Sequence, residues 1–157
     1  MSQLEARTAA EPPLAPGAPR ELRAFRGLLR AQASLSRQLD AELERQHGLP
    51  LSSFEALQLL DEQPAGKMRM CDLAAELQIS RSGLTRLVDR LSRDGLLERC
   101  TCAHDARGAY ACLTDAGREQ VHAAHATHLA VVQANLLPHL DARELSELAE
   151  LCERIGA

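Results

Sequence analysis

Tryptophan is absent from this chain of 157 residues, which carries only one tyrosine and two phenylalanines. Proteins that grip single-stranded nucleic acid stack its bases on aromatic rings. The scarcity therefore excludes an RNA-recognition sheet or a single-strand groove. It also leaves Leu, Ala and Val to fill the core of a chain that is 45% hydrophobic. That composition suits packed helices. No run approaches the roughly 20 apolar residues of a membrane span. No N-terminal segment joins a charged start to an apolar middle, so no export signal is expected. The five cysteines are irregularly spaced and form no secreted disulfide framework. A cytoplasmic protein with mainly reduced thiols is the expectation. There is no Gly-rich phosphate loop and no Gly-x-Ser-x-Gly turn, so neither an enzyme nor a bound cofactor is expected.

The net charge of -4 argues at first against a nucleic-acid partner. Its distribution reverses the argument. Residues 67–107 hold eight basic against six acidic side chains, whereas residues 1–66 hold seven against nine and residues 108–157 three against seven. The centre is the positive part of an acidic protein. With so small an excess, affinity for DNA must come from where the arginines stand, and it should be salt-sensitive.

That central region, Met70 to Thr114, organises the chain. Leu73, Ala74 and Leu77 share one side of a short helix over 71–77. Ser80 then offers a hydroxyl to the free amides of a second helix over 81–93. Leu84, Leu87, Val88 and Leu91 give the second helix one apolar face. Arg81, Ser82, Thr85, Arg86, Asp89, Arg90 and Arg93 lie on the other, and Gly95 caps the end. As the second helix of a helix-turn-helix, such a face suits the DNA major groove, where its first turns reach base edges and phosphates. Ser80, Arg81, Ser82, Thr85, Arg86 and Arg90 are the candidate contacts. Strands over 96–99 and 108–113 then flank a polar tip over 100–107, which makes the unit a winged helix. Arg107 near the tip suits the negative potential of the minor groove. Asp105, two residues earlier, is placed to orient its guanidinium.

The segments LAAELQISRSGLTRLVDRLSRDGLLER and DARGAYACLTDAGR carry a resemblance. Their order of recognition helix, Asp-x-Arg wing and Leu-Thr-x-x-Gly helix start resembles the MarR family of bacterial transcription regulators. The resemblance covers about residue 21 to the C-terminus. It implies a mainly α fold with a small β-wing: a winged helix-turn-helix between long N- and C-terminal dimerisation helices. Residues 1–20, with four of the seven prolines, read as a disordered arm. Residues 52–113 read as the DNA-binding part, and 21–47 and 114–157 as the dimerisation helices.

The flanks fit. Leu22, Phe25, Leu28, Leu29, Leu35, Leu39 and Leu43 recur at helical spacing over 21–46, and Gly48 and Pro50 end that helix. Ser52 or Ser53 is read as the cap of a helix reaching Gln63, with Phe54, Leu57 and Leu60 inside. Thr114 caps a long helix to Leu137 whose shared face is read as Val121, His125, Leu129, Val132 and Leu136. Asp141 caps a last helix striped by Leu145, Leu148, Leu151, Cys152 and Ile155. This apolar surface exceeds what one winged helix can cover, which implies a partner. The resemblance implies a two-fold homodimer, whose recognition helices would meet an inverted repeat in duplex DNA.

The resemblance also implies a small aromatic effector, for which Phe25, Leu29, Phe54 and His125 are the candidate lining. His122, His125 and His128 recur every three residues, but such steps drift around a helix, and no metal site is assigned. Cys100, Cys102 and Cys112 at the wing base are candidate redox groups. The first helix lacks the cysteine that peroxide-sensing relatives carry there. Cys71 and Cys152 read as core or interface residues.

Overall fold

The computed structural model describes residues 19–156 except 103 and 104, and the side chains of 102–108 are outside the description. Helix α1 spans Arg20–His47, α2 Leu51–Asp61, α3 Met70–Glu76, α4 Arg81–Arg93, α5 Asp115–Leu136 and α6 Ala142–Gly156. Strands β1, β2 and β3 span Lys67–Arg69, Leu97–Cys102 and Asp105–Leu113. They form one antiparallel sheet in the order β1-β3-β2. The fold is mainly α with a small β-wing. Residues 1–18, which hold most of the proline-rich arm, lie outside the described residues.

The core gathers under the helix-turn-helix. Leu43 of α1, Phe54, Leu57 and Leu60 of α2, Leu73 of α3, Leu84, Val88 and Leu91 of α4 and Leu97 of β2 are all buried. Each helix of the unit thus gives the core the face that its spacing predicts. Helix α1 ends where Gly48 adopts φ 60° and donates its amide to the Glu44 carbonyl. Gly95, at φ 73°, does the same work after α4. The turn between α3 and α4 falls where the spacing predicts, but it holds a conformation that the sequence does not announce. There Gln78 takes φ 53°, a left-handed conformation uncommon for a residue with a side chain. The Ile79 amide reaches back to the Ala74 carbonyl at 3.1 Å, and this sets the angle between the two helices.

Several expectations need correction. Neither Ser52 nor Ser53 caps α2: Pro50 holds that position, and the Leu51 amide donates to Asp40 Oδ1 of α1 at 2.8 Å. The cap is supplied from another helix, which local spacing cannot reveal. Helix α2 also ends at Asp61, short of Gln63. The wing strands run beyond 96–99 and 108–113, so much of the expected tip is ladder, with Cys102 paired to Asp105.

On α5 the buried residues are Gly117, Val121 and Ala124, while His125 and Leu129 are exposed. Val121 is buried and Val132 and Leu136 are half-buried as their spacing predicts, but Gly117 and Ala124 complete the inner face in place of His125 and Leu129. Gly117 shows why. A β-carbon there would lie 1.9 Å from the Leu96 carbonyl oxygen, so α5 touches the wing base through bare backbone. Thr114 locks the same corner. Its Oγ1 donates to the Gly95 carbonyl at 2.8 Å and accepts from the Gly117 amide at 3.0 Å.

Helix α6 opens on a reciprocal cap. Asp141 Oδ1 accepts the Glu144 amide at 2.8 Å and Glu144 Oε2 accepts the Asp141 amide at 2.9 Å. Yet no residue of α6 is buried. Leu148, Leu151 and Ile155 are exposed, as are Leu22, Phe25 and Leu28 at the start of α1.

Candidate nucleic-acid interface

Helix α4 is built as a presenter of side chains. Ser80 Oγ accepts the Gly83 amide at 3.1 Å and sits 3.1 Å from Ser82 Oγ. A β-carbon at Gly83 would meet Ser80 Oγ at 3.2 Å, so the glycine leaves room for the cap itself. Beyond the cap, Arg81, Ser82, Thr85 and Arg86 are exposed on one side. The Thr85 hydroxyl donates to the Arg81 carbonyl at 3.0 Å, which fixes its rotamer and leaves its methyl and lone pairs outward. With the positive end of the helix dipole at Arg81, the helix start favours phosphate.

Arg90 departs from this group. It is half-buried, and its Nη2 donates to Ser53 Oγ of α2 at 2.8 Å. Ser53 is the buried polar side chain of the core, and the arginine satisfies it. The structure thus brings Ser80, Arg81, Ser82, Thr85 and Arg86 to one face and turns Arg90 toward the scaffold. The side chains of Asp105 and Arg107 lie outside the described residues. Their backbone belongs to β3, the strand that pairs with β2 in the wing hairpin.

Sequence reasoning missed two flanking arginines. Arg99 of β2 reaches Asp89 of α4 at 2.7 Å, tying the wing to the recognition helix. Both partners are about half exposed, so the bridge orients more than it stabilises. Arg69 of β1 donates to the Tyr110 hydroxyl at 3.0 Å, with its guanidinium carbon 5.8 Å from the ring centre. Arg69, Arg81 and Arg99 share a cavity of about 440 Å³ with Met70, Leu84 and Thr85. Register would have found them: the ladder places Arg69 against Tyr110 and Arg99 against Ala111.

The effector candidates scatter. Phe54 is fully buried and stacks on His128, not His125, at 4.7 Å. Phe25 is 58% exposed, Leu29 half-buried and His125 exposed. None of the four lines that cavity or the groove of about 660 Å³ between α1 and α5.

The three spaced histidines have separate surroundings. His122 Nε2 meets Asp61 Oδ2 at 2.7 Å, and Arg118 pairs with the other oxygen of the same carboxylate. His128 is held below the usual histidine range by burial first and by His125 second. His47 does approach α5, bonding Thr127 Oγ1 at 2.8 Å. Cys71 and Cys152, read as core or interface residues, are both outside the core of this chain: Cys71 is exposed beside Asp72 and Cys152 is exposed on α6. Cys100 and Cys112 are joined as a disulfide.

A capped helix with an exposed Arg/Ser/Thr face, set in a helix-turn-helix and followed by a two-stranded wing that β1 completes into a three-stranded sheet, defines a winged-helix DNA-binding protein. Comparison with known proteins narrows the class. Residues 47–108 match the MarR family profile. The crystal structure of Sco3205, a MarR family transcriptional regulator from Streptomyces coelicolor solved in complex with DNA, superposes with a TM-score of 0.80 at 30% identity. That match covers 93% of this chain and 90% of Sco3205. The HTH-type transcriptional regulator YkoM of Bacillus subtilis is 28% identical over 87% of this chain and 86% of its own. The homoprotocatechuate degradative operon repressor of Escherichia coli is 28% identical over 72% and 74%. The chain belongs to the MarR family of DNA-binding transcriptional regulators.

Proposed function

We propose that the protein is a homodimeric repressor that reads an inverted-repeat operator in the cytoplasm and is released from it by a small aromatic effector. The exposed first two turns of α4 carry this reading, because they bring Arg81, Ser82, Thr85 and Arg86 to one exposed face behind a capped helix start. Arg81 and the helix start take phosphate, Thr85 and Arg86 take bases, and Arg107 takes the minor groove with Asp105 behind it. The uncovered apolar faces of α1 and α6 support the dimer. The relative named for an operon that degrades homoprotocatechuate, an aromatic acid, supports both repression and the effector class. Exposed Phe25 and His125, with half-buried Leu29, remain the residues to test for that effector. Phe54 fills the core.

The test is a titration of duplexes selected by the protein from a random library. Arg107→Ala is expected to weaken every sequence about equally, while Arg86→Ala weakens the selected site by about 1–3 kcal/mol and relaxes its preference. Equal losses on all sequences for both variants would refute this division of roles.

A further inference from the structure

The wing holds a covalent bond that DNA recognition alone does not require. The ladder between β2 and β3 is regular from Leu97↔Leu113 to Cys100↔Tyr110, and its register then shifts before Cys102↔Asp105. Cys100 and Cys112 are diagonal neighbours on one face of this ladder, with α-carbons 6.2 Å apart, and they form a disulfide. That separation lies inside the range that the bond demands. The bridge therefore stands where regular pairing ends. The segment it encloses, 101–111, carries Asp105 and Arg107. Both sulfurs belong to half-buried residues, so small thiols can reach them.

We propose that the Cys100–Cys112 pair is a reversible redox switch that sets DNA affinity through the wing. The proposal rests on the DNA-binding reading above. In a reducing compartment, a disulfide is transient and regulatory more often than structural. A small disulfide supplies the oxidation by exchange. One cysteine thiolate attacks it, forming a mixed disulfide and releasing one small thiolate. The second cysteine then attacks the protein sulfur, closing the intrachain bond and releasing the second small thiolate. Two protein thiols are oxidised, and one small disulfide is reduced to two thiols. Closure ties β3, the strand that carries Arg107, to β2 where the regular ladder ends, so the pairing of the two strands is held before DNA arrives. The oxidised form binds tighter and the reduced form looser. An oxidising signal thus tightens DNA binding, in contrast to an effector that releases it.

The full chain carrying Cys71→Ser, Cys102→Ser and Cys152→Ser is equilibrated in glutathione buffers from fully reduced to fully oxidised. Alkylation followed by mass spectrometry counts free thiols, and fluorescence anisotropy reads affinity for the selected duplex. The expected result is loss of both free thiols together, with affinity at least about five-fold higher in the oxidised form. Adding Cys100→Ser is expected to abolish the response while leaving affinity at the reduced level. Thiols that stay free in the oxidising buffer would overturn the switch, as would equal affinity in both states. Equal, measurable affinity leaves the regulator reading standing. Failure to bind DNA in either state removes both.

Discussion

At the residue scale, two small details decide much of the architecture. Gly117 is the point where α5 meets the wing base, and its missing β-carbon leaves the Leu96 carbonyl in place. Gly117→Ala must push backbone against backbone. It is expected to cost at least about 2 kcal/mol, read as a lowered urea midpoint at fixed protein concentration. A neutral result would mean that α5 docks elsewhere. His128 is the second detail. Burial against Phe54 lowers its pKa in the folded chain, so the unfolded chain binds its proton more readily. Its contribution to stability is complete above the unfolded value of about 6.5 and is lost as pH falls below it. Between about pH 7.5 and about pH 5.5 the native protein should lose more melting temperature than His128→Phe. Equal losses would remove His128 from the account. The terminal Gly of Leu-Thr-x-x-Gly was legible as a motif residue, but its reason was not. Only the packed corner shows that the glycine is a contact.

At the element scale, legibility follows amphipathicity. Helix α4 is readable because four large apolar residues mark its inner face and a serine marks its start. Its bounds, 81–93, and its exposed Arg81, Ser82, Thr85 and Arg86 are the ones the spacing predicts. Helix α5 is legible only in part: Val121 marks its contact stripe, but glycine and alanine complete it, and hydrophobic size is there a poor guide. The cap of α2 and the tether of Arg90 are invisible for a different reason. Asp40 and Ser53 act across helices, and one-dimensional spacing holds no such distances. Helix α6 was legible as an amphipathic stripe, and the structure leaves that stripe uncovered, with Ile155 72% exposed. Burying such a side chain is worth about 1.5–3 kcal/mol. Leu151→Glu with Ile155→Glu is expected to convert a species of twice the chain mass into monomer by sedimentation velocity. An unchanged dimer would place the interface elsewhere.

At the scale of the whole molecule, an acidic chain presents a locally basic reading surface. The flanks carry the negative excess, and residues 67–107 carry the positive one. Non-specific attraction is therefore weak, and specificity rests on a few placed arginines, which the proposed dimer would present twice. The same logic links stability to function. In the proposed dimer, an interface that covers α1 and α6 would also set the separation of the two recognition helices, which must be about 34–36 Å to enter successive major grooves. One titration tests this account most directly: anisotropy of the protein on the selected inverted-repeat duplex against the same duplex with one half-site scrambled, across a salt series. The account predicts two chains per intact duplex, a loss of at least about 100-fold on scrambling, and affinity that falls steeply with salt. Equal affinity for the two duplexes, or binding by one chain, would contradict it.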